Sequence, residues 1–295
     1  MRKDEDQSPV MSQRAGTPAE DGGTPVGTVA SLWRYPVKSM IGEELGVSDV
    51  TERGMLGDRV YALVDKVTGK VASAKNPRRW GRLFDFKASL VETPRAGSGR
   101  LPAVRVTFPD GTSVTSEQPD ADGLLSEALG AQVSLMTSSM ENPRYEEYWP
   151  AVEGLAHKEK VTDELMPPHT FFDFGAIHLL TTATLDHMGE LYPEGQFDAR
   201  RFRPNIVIEP STSVKDFVEN GWVNRVLRIG EVSLRVTKSC SRCVMTTLAQ
   251  GGLPQDLGIL RAAARHNRGS VGVYCSVQRG GVIKRGDPVS VDGSA

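Results

Sequence analysis

Short apolar runs, each closed within a few residues by turn chemistry, recur along most of this chain, and a sequence so punctuated builds short strands. Val29, Ser31, Trp33 and Tyr35 alternate with Ala30, Leu32 and Arg34 until Pro36, which has no N–H to give a ladder, ends or edges the run. Arg59–Asp65 and Lys70–Ala74 flank Lys66-Val67-Thr68-Gly69 and read as a hairpin; so do Val104–Phe108 and Thr112–Thr115 about Pro109-Asp110-Gly111, and Val226–Ile229 and Val232–Val236 about Gly230-Glu231. Further strands are expected at 133–136, 176–180, 205–209, 271–277 and 289–291. Three stretches have helical character: 124–129, 183–191 behind a capping Thr181 or Thr182, and 256–265 with Leu257, Leu260, Ala263 and Ala264 on one face. The spacing of the strands suggests a small barrel or sandwich over about 27–138. Residues 139–170, with Pro143, Pro150, Pro167 and Pro168, read as an irregular connection, and 171–295 as a second domain.

A chain of 295 residues accommodates one large domain or two medium ones. With 39% apolar and 24% charged residues it has an ordinary soluble composition, and 35 Lys and Arg against 37 Asp and Glu leave no basic excess for nucleic acid. No apolar run reaches the ~18 residues of a membrane span. Residues 1–26 are charged and rich in Gly, Pro, Ser and Thr, without the apolar stretch of a secretory signal. They are expected to form a disordered tail that contributes nothing to the fold, on a cytoplasmic protein. Three cysteines cannot build a disulfide scaffold.

Cys240-Ser241-Arg242-Cys243 is the sharpest local motif. A closed zinc site would need further ligands, which Cys275 and the five histidines (157, 169, 178, 187 and 266) do not supply at finger spacing. A redox dithiol usually opens a helix, whereas Val244-Met245-Thr246-Thr247 is a poor helix start. Two small buried hydrophobes near a turn remain open as a reading, as does a thiolate held among cations such as Lys238 and Arg242, which a soft metal would accept. Arg200-Arg201-Phe202-Arg203-Pro204-Asn205 is either a solvated basic turn or a fork aimed at an anion. Lys38, just past the first strand, either enters a cleft or snorkels. Asp58–Arg59 could be a surface pair of little energetic weight, and His178 reads as a satisfied core residue.

LWRYPVKSM (32–40), RGMLGDRVYALVD (53–65), LLTTATL (179–185), FRPNIVIE (202–209), CSRCVMTT (240–247) and GGVIKRGDPVSV (280–291), taken in order, resemble the MOSC family (molybdenum cofactor sulfurase C-terminal), including its N-terminal β-barrel partner domain. The resemblance extends to the amidoxime-reducing members. It implies a mainly β fold with some α, in which an N-terminal β-barrel-like domain packs on a C-terminal MOSC β-barrel with peripheral helices. It also implies a molybdenum cofactor (Mo-molybdopterin), with Cys243 as metal ligand and catalytic residue. Lys38, Ser39, Arg59, Arg203, Asn205 and Arg242 are the cofactor contacts so implied, with Asp173, Thr182 and Tyr274 as further candidates. The implied activity is two-electron reduction of N-hydroxylated or N-oxygenated small molecules; the alternative is a carrier of the cofactor or of sulfur without its own reductase activity. With so few cysteines left over, no fused iron–sulfur module is expected, so electrons would come from a separate flavin, haem or iron–sulfur donor protein. After CVMTT the chain departs from its relatives, and residues 248–269 are expected to shape the substrate mouth. Lys38, Arg59, Arg203 and Cys243 should converge on a cleft between the two units, with Cys243 beside Arg59 and Arg203, and Cys240 packing behind the loop.

Overall fold

The computed structural model describes residues 23–155 and 158–292. Strand β1 (Thr24–Arg34) is followed by β2 (Glu43–Leu45), β3 (Val47–Thr51), β4 (Gly54–Met55) and β5 (Tyr61–Asp65). Helix α1 (Pro77–Trp80) leads to β6 (Lys87–Leu90), β7 (Val104–Thr107), β8 (Ser113–Thr115), helix α2 (Ala121–Leu129) and β9 (Val133–Thr137). Then come β10 (Arg144–Trp149), β11 (Lys160–Leu165), β12 (Ile177–Thr181), helices α3 (Thr182–Leu191) and α4 (Ala199–Phe202), and β13 (Ile206–Pro210). β14 (Val226–Ile229), β15 (Val232–Ser241), helix α5 (Gly258–Asn267), β16 (Ser270–Arg279), β17 (Gly281–Lys284) and β18 (Pro288–Val291) complete the chain. The protein is mainly β with a few helices, as its punctuation implies.

A closed barrel runs in the order β13-β12-β16-β15-β14-β18-β1, and β1 pairs back onto β13. Closure satisfies every strand edge, which an open sheet would leave exposed. Val29 and Leu32 of β1 point inward to meet Ile177, Ile206, Leu227, Leu234 and Val273 in one apolar core. β1 lies between β18 and β13, and bulges in both pairings bend it into that place. Gly27 is needed there: a Cβ would sit 2.2 Å from the Glu209 carbonyl oxygen.

The N-terminal half also has a core of its own. β5 pairs with β9, β6-β7-β8 form a second sheet, and Leu63, Phe86, Val104, Val106, Leu125 and Val133 fill the space under α2. The two halves are interlocked through their sheets. β1 belongs to the C-terminal barrel, and β3, which also pairs with β4, pairs with the late strand β17.

Several expectations are corrected. Of the tail 1–26, residues 1–22 lie outside the described residues, as does His157, but Thr24 and Pro25 already pair with Val291 and Ser290. The Lys66–Gly69 turn forms and Lys70–Ala74 folds back on β5 through the antiparallel bridge Val64↔Val71, but it is β9 that forms the full ladder with β5. Residues 139–170 contain an antiparallel pair, β10 and β11. The prolines that suggest irregularity, Pro143, Pro150, Pro167 and Pro168, lie outside both strands, where no ladder hydrogen bond is lost.

Candidate active site

Seven described non-glycine residues adopt left-handed backbone geometry, among them Ser39 (φ 64°), Arg59 (φ 51°) and Arg203 (φ 55°) on three different segments. Such conformations are uncommon outside glycine and mark places where the surroundings over-determine the chain. All three line one cleft, which encloses about 600 Å³ of space with its open mouth included. Lys38, Ser39, Arg59 and Lys75 reach it from the N-terminal half. Asp173, His178, Arg203, Arg242, Cys243 and Tyr274 reach it from the C-terminal half.

Its charge is lopsided. Lys38, Arg59, Lys75, Arg201, Arg203 and Arg242 face it, against the single carboxylate of Asp173. Lys38 is buried and donates to the Phe171 carbonyl at 3.0 Å and to the Asp173 carboxylate. Burial pulls the Lys38 pKa down, and Asp173 only partly restores it. Burial also works against the Asp173 charge, but Lys38, Lys75 and Arg59 outweigh it and hold the carboxyl well below its usual range. Lys75 lies 3.4 Å from Asp173 and 3.0 Å from Glu147 of β10. Despite burial, Asp173, Cys243 and Glu147 raise its pKa.

Arg203 ends α4 and donates to the Met40 carbonyl at 2.6 Å, so one guanidinium nitrogen ties the two halves together. Its Nη2 is buried without a hydrogen-bond partner among the described residues. Burial and then the nearby Arg59 cation lower its pKa to about 10. Arg59 is held by Asp58, whose carboxylate also accepts from the Tyr35 N–H at 2.8 Å. Asp58 is only 2% exposed, so this is no surface pair. Ser39 accepts from the Ala74 N–H at 3.1 Å, placing Lys75 next to Lys38.

Cys243 precedes a single 3-10 turn at Val244–Thr247 and lines the cleft. Burial pushes its thiol up to about 11, against the lowering effect of Lys75. Lys75, Glu147 and Arg242 act on its charge, and Arg59 and Arg203 line the same cleft. Cys240 is fully buried outside the cleft lining. Lys238 does not face the cleft either; it sits over the Phe174 ring.

Two implied contact residues lie elsewhere. Asn205 braces the barrel, accepting from the His178 N–H at 3.1 Å and donating to the Trp33 carbonyl at 3.3 Å. Thr182 is the first residue of α3 and does not line the cleft. The basic turn is not solvated: Arg201 is fully buried and donates to the carbonyls of Gln196, Thr246, Leu248 and Pro254, clamping the chain that follows Cys243. No residue of 248–269 lines the cleft. Lys75 carries no signal in its own sequence; only the fold brings it there. His178 is buried, as read, but also borders the cleft. Among the described residues no three His, Cys, Asp or Glu side chains cluster as metal ligands, so a metal here would need ligands from a cofactor.

The MOSC domain model matches residues 167–290, and the MOSC N-terminal beta barrel domain model matches residues 26–132. This chain belongs to the MOSC family. This MOSC protein is 24% identical to mitochondrial amidoxime reducing component 2 of Rattus norvegicus, over 90% of this chain and 83% of the relative. It is 25% identical to mitochondrial amidoxime-reducing component 1 of Mus musculus, over 76% of this chain and 66% of that protein. Identity to the molybdenum cofactor sulfurase of Oryza sativa subsp. japonica is also 25%, over 75% of this chain but only 28% of the sulfurase. Among solved structures, YuaD from Bacillus subtilis covers 92% of this chain at 11% identity and a TM-score of 0.46. No helix among the described residues is long and apolar enough to cross a membrane.

Proposed function

We propose that this MOSC protein is a molybdenum oxidoreductase that binds Mo-molybdopterin in the cleft and reduces N-hydroxylated or N-oxygenated small molecules. The carrying observation is the cleft's unspent donors. Among the described residues, Arg203 Nη2 and Arg242 Nε are buried without hydrogen-bond partners, in a site where six cations face one carboxylate. Buried cations are costly without anions, and a phosphate-bearing dithiolene cofactor brings both negative charge and acceptor oxygens. The donor set therefore fits the group.

When bound, that cofactor supplies the two-electron, oxygen-removing chemistry. The chain's part is to hold and orient it. Lys38, Arg59 and Arg203 offer charge and hydrogen bonds to anionic oxygen, and Ser39 fixes the Lys75 segment against them. Cys243 offers the soft sulfur ligand, losing its proton when a metal takes the thiolate. Beside Cys240 and Cys243 only Cys275 remains, too few for an iron–sulfur cluster within these residues, so a separate donor protein would supply electrons. The relatives named as amidoxime-reducing components support the reductase over a cofactor or sulfur carrier.

Metal and pterin analysis of purified protein, with reduction of an aromatic amidoxime by reduced methyl viologen, tests the proposal. It expects about one Mo per chain and turnover that depends on it. Cofactor without turnover would favour the carrier, and neither would sink both readings.

A further inference from the structure

Cys240 closes β15 with no exposure to solvent, and its sulfur accepts from Arg242 Nη1 at 2.7 Å. Arg242 Nη2 donates to the Phe202 carbonyl at 2.7 Å, and its backbone N–H donates to the Gly269 carbonyl, also at 2.7 Å. The guanidinium is pinned at two nitrogens. The third, Nε, is buried and has no hydrogen-bond partner among the described residues, although Arg242 lines the cleft. The two sulfurs of the Cys240-Ser241-Arg242-Cys243 motif are thus divided: one borders the cleft, and the other stands behind the arginine between them.

We infer that Cys240 is a positioning residue, whose buried sulfur fixes Arg242 so that Nε is left to bind an anionic oxygen of the group held in the cleft. This rests on the cofactor reading only for the identity of that group. Two independent features support it. A neutral thiol is a weak acceptor, whereas a thiolate makes a short, charge-assisted bond with arginine and compensates a buried cation. The groups facing the sulfur also favour the charged form: burial opposes it, but Arg242, then His178 and Tyr274, bring the Cys240 pKa down to about 6.

The test uses cofactor-free full-length protein first. Thiolate absorbance near 240 nm should rise in one step with a midpoint near 6. The step should survive Cys243→Ser, vanish in Cys240→Ser, and move toward the ordinary cysteine value of about 8.5 in Arg242→Gln. Inorganic phosphate binding, followed by calorimetry, should weaken about tenfold in Cys240→Ser and in Arg242→Gln, the loss of one charge-assisted hydrogen bond. Cys275→Ser serves as the buried-cysteine control and should leave it unchanged. In the loaded protein, lower pterin content in Cys240→Ser with KM unchanged assigns the oxygen to the cofactor. Unchanged pterin content with a raised KM assigns it to the substrate.

A step that persists in Cys240→Ser, or a midpoint indifferent to Arg242→Gln, overturns the inference. So does Cys240→Ser protein that melts lower yet binds phosphate as the wild type does, since the sulfur would then be structural only. If Arg242→Gln fails to fold, Arg242→Lys replaces it, with the same direction expected. The absorbance and phosphate measurements need no molybdenum, so they stand or fall separately from the reductase proposal.

Discussion

Asp173 is the one acid facing six cations in the cleft, and it lies between Lys38 and Lys75. Asp173→Asn leaves two buried ammonium groups without their shared partner, so the cofactor-free protein should melt several degrees lower at neutral pH. Its pKa is depressed in the folded protein, so the stabilisation is fully present above the ordinary carboxylate value and is lost as the pH falls through the depressed one. The gap between wild type and Asp173→Asn should therefore hold from neutral pH down to about 4 and shrink only below it. A gap independent of pH down to the acid limit would mean that shape, not charge, is what Asp173 supplies. Cys243→Ser replaces a soft sulfur with a hard, poorly ionised hydroxyl. Pterin should be partly retained, because Lys38, Arg59 and Arg203 remain, while reductase turnover should fall by roughly 100-fold or more, beyond the loss seen when only a metal site's supporting residues change. Turnover of Cys243→Ser at the wild-type rate, with none in Cys240→Ser, would assign the ligand to the other sulfur.

At the scale of elements, the junction of β12 and α3 holds a buried acid directly behind the barrel wall. Thr181 caps α3, accepting from the Thr184 N–H at 3.2 Å, and its hydroxyl donates to Glu219 at 2.7 Å; the Thr184 hydroxyl donates to the same carboxylate oxygen at 2.7 Å. Thr181→Ala removes a cap and a buried hydrogen bond together and should cost about 1–2 kcal/mol in denaturant unfolding. Thr181→Ser should recover most of that cost. Glu219 is 1% exposed, and burial raises its pKa despite both hydroxyls. Below the ordinary glutamate pKa both states are protonated. Above it the unfolded chain ionises first, so stability is lost as the pH rises toward the folded value. The melting temperature of Glu219→Gln relative to wild type should climb between pH 4 and pH 7, by about 2–4 °C for each ~1 kcal/mol recovered. A flat difference would show that Glu219 ionises in the folded protein as readily as in the unfolded one.

For the whole molecule, the decisive element is β1, an N-terminal strand that closes the C-terminal barrel. A fragment of residues 139–292 lacks it and should expose the edges of β13 and β18. It should therefore fail to give the dispersed amide spectrum of a folded domain, and a folded fragment would mean that β1 is dispensable. A truncation starting at Gly23 keeps the pairs Thr24↔Val291 and Pro25↔Ser290, whereas one starting at Gly27 removes them. The Gly27 form should melt a few degrees below the Gly23 form, and equal midpoints would show that these first pairs contribute nothing.

Much of the local structure is legible in the order of residues, because period-two alternation, capping threonines and Pro-Asp-Gly turns act between neighbours. The β7–β8 and β14–β15 hairpins, α2, and Thr181 as a cap fall in this class. The motifs carrying Lys38, Arg59, Arg203 and Cys243 are legible too, since an ordered set of unusual patches carries more information than any one of them. What neighbours cannot specify is which distant groups meet. Lys38 and Asp173 are 135 residues apart, and Arg203 and Met40 are 163 apart. Lys75 enters the cleft only because Ser39 holds the backbone beside it, and Asn205 leaves the cleft only because two strands claim its amide. The division of labour between Cys240 and Cys243 has the same origin. The two thiols are chemically identical in the chain, and their surroundings diverge because Arg242 turns back onto Cys240 while Cys243 borders the cleft.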